Sequence, residues 1–365
     1  MRKIITLLSI SLLLCSCGVT KKIENNNITL KYLDEYVLSP DTKLNNTVVG
    51  GLSGIDYHDG KYYLVSDQAS NPRIYGASIG IKNNKFQEVS IKELITIKKT
   101  KEYSNVVLDL EALSFDELRD EFIIASEGLI DERKNPGVYR LSKDGKIKGS
   151  FTIPDYFKAE GEQMPRNNGV FEGVSESFDQ QGYWVATELP LEKDSSKPKI
   201  FPSRTHIRIT KFDKNTGEPV TQFVYKVDGI AKLPINYFAV NGVTEIMEYA
   251  DGRFLILERS YSAGYGSKGN TVKIFDVNSS HASETLKIDR LKGEDYETAE
   301  KKLVFNFKAV KNQLSEKIID NLEGMCFGPK LDNGKQSLIL ISDNNFNSFV
   351  EQKNQFILME ISIRN

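Results

Sequence analysis

Short apolar runs separated by turn residues recur along most of the chain. Two examples are Tyr-Tyr-Leu-Val at 62–65 and Phe-Ile-Ile-Ala at 122–125, and both are flanked by polar residues such as Asp and Gly. Runs of this length, rich in β-branched and aromatic residues, are typical of strands, whereas helices need longer stretches with a 3.6-residue period. The pattern therefore predicts an all-β protein.

The strand-like runs form a unit that repeats five times. Each unit begins with an apolar residue, then Glu, Asn or Ser, then Gly or Ala, then a second apolar residue. After a turn, a second apolar run ends in Asp or Glu. The five starting segments are 52–55, 110–113, 171–174, 240–243 and 322–325.

Two further strands follow each of the first four units, but only one follows the fifth before the chain ends. Segment 28–38 can supply the missing strand by pairing with 356–363. Five repeats of four strands, closed by the two termini, describe a five-bladed β-propeller. A sixth blade would need strands within 280–320, a stretch that looks partly helical at 295–302 and 313–320. A large β-sandwich with coincidental internal similarity is the alternative.

The N-terminus has the form of an export signal. Residues 1–16 combine Arg2 and Lys3 with a short apolar run at 4–14, the arrangement of a secretory signal peptide. Leu-Cys-Ser-Cys at 14–17 resembles a bacterial lipobox, which predicts a lipid on Cys17, a linker over 17–27 and a single propeller domain over 28–365. We therefore expect an exported protein anchored to the cell envelope by lipid alone, on either its periplasmic or its surface face. The alternative is an ordinary signal peptide with an incidental cysteine.

Charge and composition narrow the classes of function. The 48 Lys and Arg residues nearly balance the 50 Asp and Glu residues, for a net charge of −2. A nucleic-acid-binding protein would need a basic surface, so no nucleic-acid partner is expected. The Gly-x-Ser-x-Gly pattern of serine esterases is absent. We expect a monomer.

Acidic residues repeat in register with the strands. If the first strand of each unit lines the central channel, its polar residues converge near the axis, and the acids that end the second strands form a second ring. Two carboxylates about 4 Å apart repel by roughly 4 kcal/mol at an effective dielectric constant of 20, so such rings must take up protons or cations. Carboxylates are preferred ligands of Ca²⁺, and arginine could neutralise them or bind phosphate. The alternative is that the acids cap turns. The first ring comprises Glu111, Glu172 and Glu323, with Ser53 and Asn241 in the equivalent places, and the second comprises Asp67, Glu127, Glu188, Glu258 and Asp343.

Three segments carry a family resemblance. They are Asp-Leu-Glu-Ala-Leu at 109–113, Phe-Glu-Gly-Val-Ser-Glu at 171–176, and Leu-Glu-Gly-Met at 322–325 followed by Ile-Ser-Asp-Asn-Asn-Phe at 341–346. Over roughly 45–363 the chain resembles the phytase-like family, whose members are often named "esterase-like activity of phytase". The resemblance implies a secreted or membrane-anchored propeller that hydrolyses phosphoesters. Asn241 departs from the glutamate of three other repeats, so a complete ring of carboxylates is not expected.

These observations favour a metal-assisted phosphoesterase acting on a small phosphorylated substrate, with Ca²⁺ as the expected cofactor. The alternative is a non-catalytic propeller that binds a ligand or a protein at the cell envelope. Close acids facing one pocket with an arginine would favour the enzyme, and acids engaged in backbone turns would favour the binding protein. The expected catalytic residues are Glu111, Glu172, Glu323 and Asp343; the expected substrate-binding residues are Arg73, Arg204, Arg259 and Asn344; and the expected metal ligands are Asp67, Glu127, Glu188 and Glu258.

Overall fold

The computed structural model describes residues 28–201, 204–346 and 352–363. Across these residues the chain forms five four-stranded antiparallel sheets and one small two-stranded hairpin. The predicted five-bladed propeller is confirmed. The proposed signal peptide (1–16) and the proposed lipid site at Cys17 lie outside the described residues. Among the described residues, no helix is long and apolar enough to cross a membrane.

The strands follow the predicted repeats closely. Helical structure in the described residues consists of short 3₁₀ turns at Ile130–Glu132, Asp155–Phe157, Gly266–Lys268, Phe307–Ala309, Lys311–Gln313 and Ser315–Lys317. In chain order the strands are β1 (Ile28–Leu38), β2 (Lys43–Leu44), β3 (Thr47–Val48), β4 (Leu52–His58), β5 (Lys61–Ser66), β6 (Arg73–Lys82), β7 (Lys85–Thr96), β8 (Leu110–Asp116), β9 (Glu121–Ser126), β10 (Gly137–Ser142), β11 (Ile147–Ser150), β12 (Phe171–Glu176), β13 (Gly182–Thr187), β14 (His206–Asp213), β15 (Pro219–Lys226), β16 (Ala239–Ala250), β17 (Arg253–Ser262), β18 (Asn270–Asn278), β19 (Glu300–Asn306), β20 (Asn321–Lys330), β21 (Gln336–Asp343) and β22 (Asn354–Ile363).

Each blade is a meander of neighbouring strands. Blade 1 is β4-β5-β6-β7, blade 2 is β8-β9-β10-β11, blade 3 is β12-β13-β14-β15 and blade 4 is β16-β17-β18-β19. Blade 5 is β20-β21-β22 with β1 as its outer strand. The pairing of β1 with β22 is antiparallel and runs from Ile28 opposite Ile363 to Leu38 opposite Asn354. The predicted closure by the two termini is therefore confirmed.

Segment 280–320 completes blade 4 and adds no sixth blade. The prediction of partial helix at 295–302 is wrong, because β19 begins at Glu300 and pairs with β18, with Leu303 opposite Phe275. The run Leu-Val-Phe at 303–305 suits a strand, and β-sheet pairing outweighs the charged residues that precede it. In 313–320 the structure has single 3₁₀ turns in place of a continuous helix.

The apolar core is divided among the junctions between blades. Five clusters of buried apolar side chains occur, and each joins neighbouring blades. Between blades 1 and 2, for example, Val65 and Ile74 share a cluster with Leu110 and Ile124. Burial of such side chains stabilises by about 1.5–3 kcal/mol each. Because the apolar core lies between the faces of neighbouring blades, the ends of the inner strands that face the channel can carry polar residues.

The repeated small residue lets the inner strands approach one another. A Cβ on Gly54 of blade 1 would lie 2.9 Å from the Ala112 Cα of blade 2, and one on Gly173 of blade 3 would lie 2.9 Å from the Ile246 backbone nitrogen of blade 4. Only a residue without a side chain fits at such distances. In each Glu-Gly pair, the glycine allows the inner strands to pack closely, and the residue just before it supplies a polar group.

Candidate functional site

A bulge presents the polar residue of the repeat in four of the five blades. In blade 2 the pairing passes from Leu110 opposite Ser126 directly to Ala112 opposite Ala125, which leaves Glu111 unpaired between them. The same irregularity occurs in blades 1, 3 and 5. A bulge redirects the side chain of its extra residue. The four residues at these bulges are Ser53, Glu111, Glu172 and Glu323.

The three bulge glutamates line a cavity of about 770 Å³, whereas Ser53 does not. Acids from blades 1, 2, 3 and 5 line it together, and Arg259 and Lys197 are its basic lining residues. The convergence expected from the repeats is therefore present for seven of the eight acids. The lining acids from the two expected rings are Asp67, Glu111, Glu127, Glu172, Glu188, Glu323 and Asp343.

Blade 4 follows a different register from the one that its sequence suggests. Its pairing passes from Val243 opposite Glu258 to Glu245 opposite Leu257, so the bulge falls on Thr244. The Thr244 hydroxyl donates to the Leu322 carbonyl of the next blade at 3.3 Å. In the same way, the hydroxyl of the blade 1 bulge residue, Ser53, donates to the next blade at 2.9 Å. The blade 4 repeat therefore lies three residues later than 240–243, and Asn241 is not the equivalent of the glutamates.

The corrected register puts Arg259 in the position of a second-strand acid. In blade 1, Asp67 follows Ser66, the residue paired with Leu52. In blade 4, Arg259 follows Glu258, the residue paired with the equivalent Val243. Four blades thus supply an acid to the cavity at this position, and blade 4 supplies a base.

Glu258 lies outside the cavity, in a network of its own. Its carboxylate accepts hydrogen bonds from the Tyr225 hydroxyl at 2.5 Å, the Lys301 amine at 2.8 Å and the Asn241 amide at 3.0 Å. Glu258 is 1% exposed, and the carboxylate is already neutralised by Lys301. It was assigned as a metal ligand from the uncorrected register, and it is not among the residues that line the cavity.

Arg259 joins two acids of neighbouring blades. Its Nη2 lies 3.0 Å from the Glu323 Oε1 and 3.6 Å from the Glu188 Oε1. Its Nε is buried and has no acceptor among the described residues. Burial disfavours the charged guanidinium and lowers the pKa of Arg259. The surrounding carboxylates, of which Glu323 has the largest effect, outweigh burial, and the pKa of Arg259 is raised.

Three acids of blade 2 form the tightest group. Each of Asp109, Glu111 and Glu127 offers one oxygen, and these oxygens lie within 4.8 Å of one another. Glu127 also accepts a hydrogen bond from the Val170 backbone amide at 2.7 Å. Asp109 was not assigned a role from the sequence, although it stands in the segment that carries the family resemblance. Three carboxylate oxygens at this spacing can bind one hard cation.

Burial and mutual repulsion disfavour the charged carboxylates. Burial, together with neighbouring acids, raises the pKa of Glu127 to about 8, and burial in the same cluster raises that of Glu323 to about 8. The same causes raise the pKa of Asp109 to about 6 and hold the pKa values of Glu111 and Glu172 well above their ordinary range. A cluster of this kind is neutral at pH 7 only when it holds protons or cations.

Several of the cavity acids have carboxylate oxygens without a hydrogen-bond donor among the described residues. Glu172 is 7% exposed and accepts no hydrogen bond from a described residue, and the buried Oδ1 of Asp67 has no partner in the same part of the chain. Leaving such a group unsatisfied costs about 1–3 kcal/mol, and more when it is charged. Unpartnered carboxylate oxygens beside the blade 2 group fit Ca²⁺, which prefers oxygen ligands. The residues present therefore suit the cation expected from the sequence.

Three of the predicted substrate-binding residues lie away from the cavity lining. The Arg73 guanidinium donates to the Tyr75 hydroxyl at 2.6 Å and to the Gln68 Oε1 at 2.7 Å, so it is engaged within blade 1. Arg204 is exposed. Asn344 accepts a hydrogen bond from the Gly51 backbone amide at 2.9 Å and shapes the adjoining loop. The fourth, Arg259, lines the cavity.

Several cavity residues have no counterpart in the sequence-based assignment. The Asn321 amide donates to the Glu323 Oε1 at 2.9 Å and to the Asp343 Oδ2 at 3.4 Å. Asn321 lies two residues before the bulge glutamate, and this spacing is the sequence signal that could have identified Asn321. Lys197 and the aromatic Tyr237 and Phe238 come from irregular loops, where no periodic pattern marks them.

Comparison with known proteins gives one family match. The sequence model described as "Phytase-like: Esterase-like activity of phytase" matches residues 47–346. No protein with a curated description matches the chain in sequence.

Solved structures match the fold at low identity. A glutaminyl cyclase of Myxococcus xanthus is 7% identical, with 93% of this chain and 98% of that chain covered and a TM-score of 0.41. An exo-1,5-alpha-L-arabinanase from a bovine ruminal metagenomic library is 10% identical, with 85% and 92% covered and a TM-score of 0.42. A DUF4221 family member of Bacteroides vulgatus is 14% identical, with 93% and 99% covered and a TM-score of 0.41. Likeness at this level says nothing about the reaction.

Proposed function

Because the chain belongs to the phytase-like family, described as having esterase-like activity of phytase, we propose that it is a metal-assisted phosphoesterase. The observation that supports this most directly is the cavity in which acids from four blades surround Arg259. Fold alone does not determine chemistry, so the proposal depends on these side chains.

The blade 2 group is the proposed cation site. Asp109, Glu111 and Glu127 would hold Ca²⁺ through oxygens that already lie within 4.8 Å of one another. A bound cation would neutralise negative charge on the ester oxygens and lower the pKa of a bound water molecule. This revises the expected ligand set, since Asp109 and Glu111 join Glu127. Of the other expected ligands, Asp67 and Glu188 line the cavity outside this group, and Glu258 lies outside the cavity.

Arg259 and Lys197 would orient the phosphate group. Both line the cavity, and they are its cationic side chains among the described residues. Arg259 is fixed by Glu323 and Glu188, which limits its conformational freedom before the substrate binds. A guanidinium fixed in this way can present two N–H donors to phosphate oxygens.

Glu172 would accept the proton of the attacking water. Its carboxylate is buried, lines the cavity and has no hydrogen-bond donor among the described residues, so its oxygens are available. The water oxygen forms the new bond to phosphorus as its proton passes to Glu172, and the P–O ester bond breaks. The departing oxygen takes up a proton from solvent, and Glu172 returns its proton to solvent. General-base assistance of this type contributes about 10²–10⁴-fold to the rate.

Hydrolysis of 4-nitrophenyl phosphate tests the proposal. We expect turnover with CaCl₂, none with EGTA, and a loss of about 100-fold or more in kcat for Glu172→Gln. Glu245→Gln is the matched control. Glu245 is also a buried glutamate, but it lies outside the cavity lining and accepts hydrogen bonds from the Ile246 and Val174 backbone amides at 2.9 and 3.2 Å. No turnover with any divalent cation, or an equal loss in both variants, would contradict the proposal.

We also propose that the protein is anchored to the cell envelope through Cys17. The sequence pattern at 14–17 supports this. Incorporation of labelled palmitate in cells should be abolished by Cys17→Ser and retained in Cys15→Ser. Equal labelling of both variants would show that Cys17 is not the acceptor.

A further inference from the structure

Exposed apolar side chains are concentrated beside the acidic cavity. They occupy the loop between β15 and β16 and the turn between β17 and β18, and we call these five residues the apolar rim. Tyr237 is fully exposed at 100%. The rim comprises Leu233 (66% exposed), Ile235 (60%), Tyr237 (100%), Phe238 (58%) and Tyr265 (39%).

One side-chain and two backbone hydrogen bonds hold the two segments of the apolar rim together. The Tyr265 hydroxyl donates to the Leu233 carbonyl at 2.9 Å. The Ile235 amide donates to the Ala263 carbonyl, and the Ala263 amide donates to the Phe238 carbonyl, both at 2.9 Å. The apolar side chains are thus exposed on a backbone that the fold fixes, and their exposure does not result from an unattached loop.

The apolar rim is continuous with the cavity. Tyr237 and Phe238 line the cavity directly, next to Val240 and Tyr261. The Phe238 and Tyr261 rings lie with their centroids 6.3 Å apart. One side of the cavity is therefore apolar, whereas carboxylates, amide side chains and the two basic residues line much of the rest.

Tyr237 has a strained backbone. Its φ is +58°, a left-handed conformation that aromatic residues rarely adopt. The side chain is fully exposed, so burial of the ring does not offset the strain within this chain. Strain of this kind is concentrated at ligand clamps and active sites.

We propose that the apolar rim binds an aromatic or acyl group attached to the phosphate of the substrate, so that the protein acts on amphiphilic phosphoesters rather than on phosphorylated polyols. This inference rests on the proposed function. A polyol offers hydroxyl groups, which gain little from exposed Leu, Ile and Phe side chains. An amphiphile places its phosphate against the basic groups and the cation site of the cavity and its apolar part on the apolar rim. Exposed apolar patches mark protein interfaces, membrane contacts or ligand-binding grooves, and the continuity of the apolar rim with the cavity favours the last of these.

Binding of two phosphonates that cannot be hydrolysed, measured by calorimetry with CaCl₂, tests the inference. Benzylphosphonate and methylphosphonate share the charged group and differ in the ring. We expect benzylphosphonate to bind roughly tenfold or more tightly, since even one methylene group in an apolar pocket is worth about tenfold or more. Phe238→Ala and Tyr237→Ala should each reduce that preference, and the fully exposed Tyr237 can be truncated without opening the core.

Phe178→Ala is the matched control. Phe178 has the same exposure as Phe238, 58%, but lies in the β12–β13 turn and not in the cavity lining, so its loss should leave the preference intact. Equal affinity for the two phosphonates, or the same effect from all three variants, would overturn the apolar rim as a binding site while leaving the phosphoesterase in place. If neither phosphonate binds, the inference and the proposed function both fail.

Discussion

Blades 3 and 4 are neighbours with opposite contributions to the cavity. Blade 3 places Glu172 on its bulge and Glu188 at the end of β13, and both are acids. Blade 4 places Thr244 on its bulge and Arg259 at the matching position of β17. The same backbone arrangement therefore delivers two negative groups in one blade and one positive group in the next. Blade 4 places a base among the carboxylates because it departs from the repeat, and the proposed phosphate site depends on that departure.

The largest expected effect comes from pH. In the absence of a divalent cation, burial and neighbouring acids raise the pKa values of Glu127 and Glu323 to about 8. The native state then holds more protons than the unfolded state between about pH 4.5 and 8, so the stabilisation is complete below this window and is lost as pH rises to about 8. Urea unfolding in EGTA at pH 5 and pH 8 should show this loss.

Calcium should weaken the dependence of the free energy of unfolding on pH, because a bound cation favours the charged carboxylates. Equal stability at pH 5 and pH 8 in EGTA would show that the acids of the four blades do not repel one another as the structure implies. A pH dependence unchanged by calcium would show that the cation does not bind among them.

The next effect in size is the removal of the blade 4 base. Arg259→Met keeps most of the side-chain volume and removes the charge that contacts Glu323 and Glu188. Breaking a buried ion pair on one side costs about 3–5 kcal/mol in the free energy of unfolding, and urea unfolding at pH 7 measures it. Arg204→Met is the control, because Arg204 is exposed and should shift stability by less than about 0.5 kcal/mol. Similar values for the two variants would mean that Arg259 does not balance the acids.

The smallest effect tests the corrected register of blade 4. Thr244→Val removes the hydroxyl that donates to the Leu322 carbonyl and keeps the shape of the side chain. We expect a loss of about 1 kcal/mol, typical of one hydrogen bond, in the same unfolding measurement. Thr29→Val is the control, because Thr29 is exposed on β1 and has no side-chain hydrogen bond to a described residue. A neutral Thr244→Val would show that the hydroxyl contact to the next blade, which Thr244 shares with Ser53, does not stabilise the fold.

Local patterns were enough to predict the fold. Each strand is a short apolar run with turn residues at its ends. The repeated pair of a polar residue and glycine marked the inner strands, because close approach at Gly54 and Gly173 requires a small residue. The pairing of 28–38 with 356–363 followed from counting strands. Convergence of the acids followed in turn, since equivalent positions of a propeller meet at the axis.

The register of blade 4 could not be inferred in the same way. Asn-Gly at 241–242 resembles the Glu-Gly of other blades in sequence. The bulge nevertheless lies at Thr244, because hydrogen-bond pairing with β17 determines the position of the bulge. The direction of the Arg73 side chain, toward Tyr75 and Gln68, depends on tertiary contacts. Lys197 and the apolar rim lie on irregular loops, which carry no periodic signal.

Calcium binding measured by calorimetry tests the central claim most directly, namely that the three acids of blade 2 form a cation site in the cavity. Wild-type protein should bind Ca²⁺ at pH 7, Glu111→Gln should lose that binding, and Glu245→Gln should retain it, because Glu245 lies outside the cavity lining. Absence of binding in the wild type, or equal binding in all three proteins, would contradict the claim.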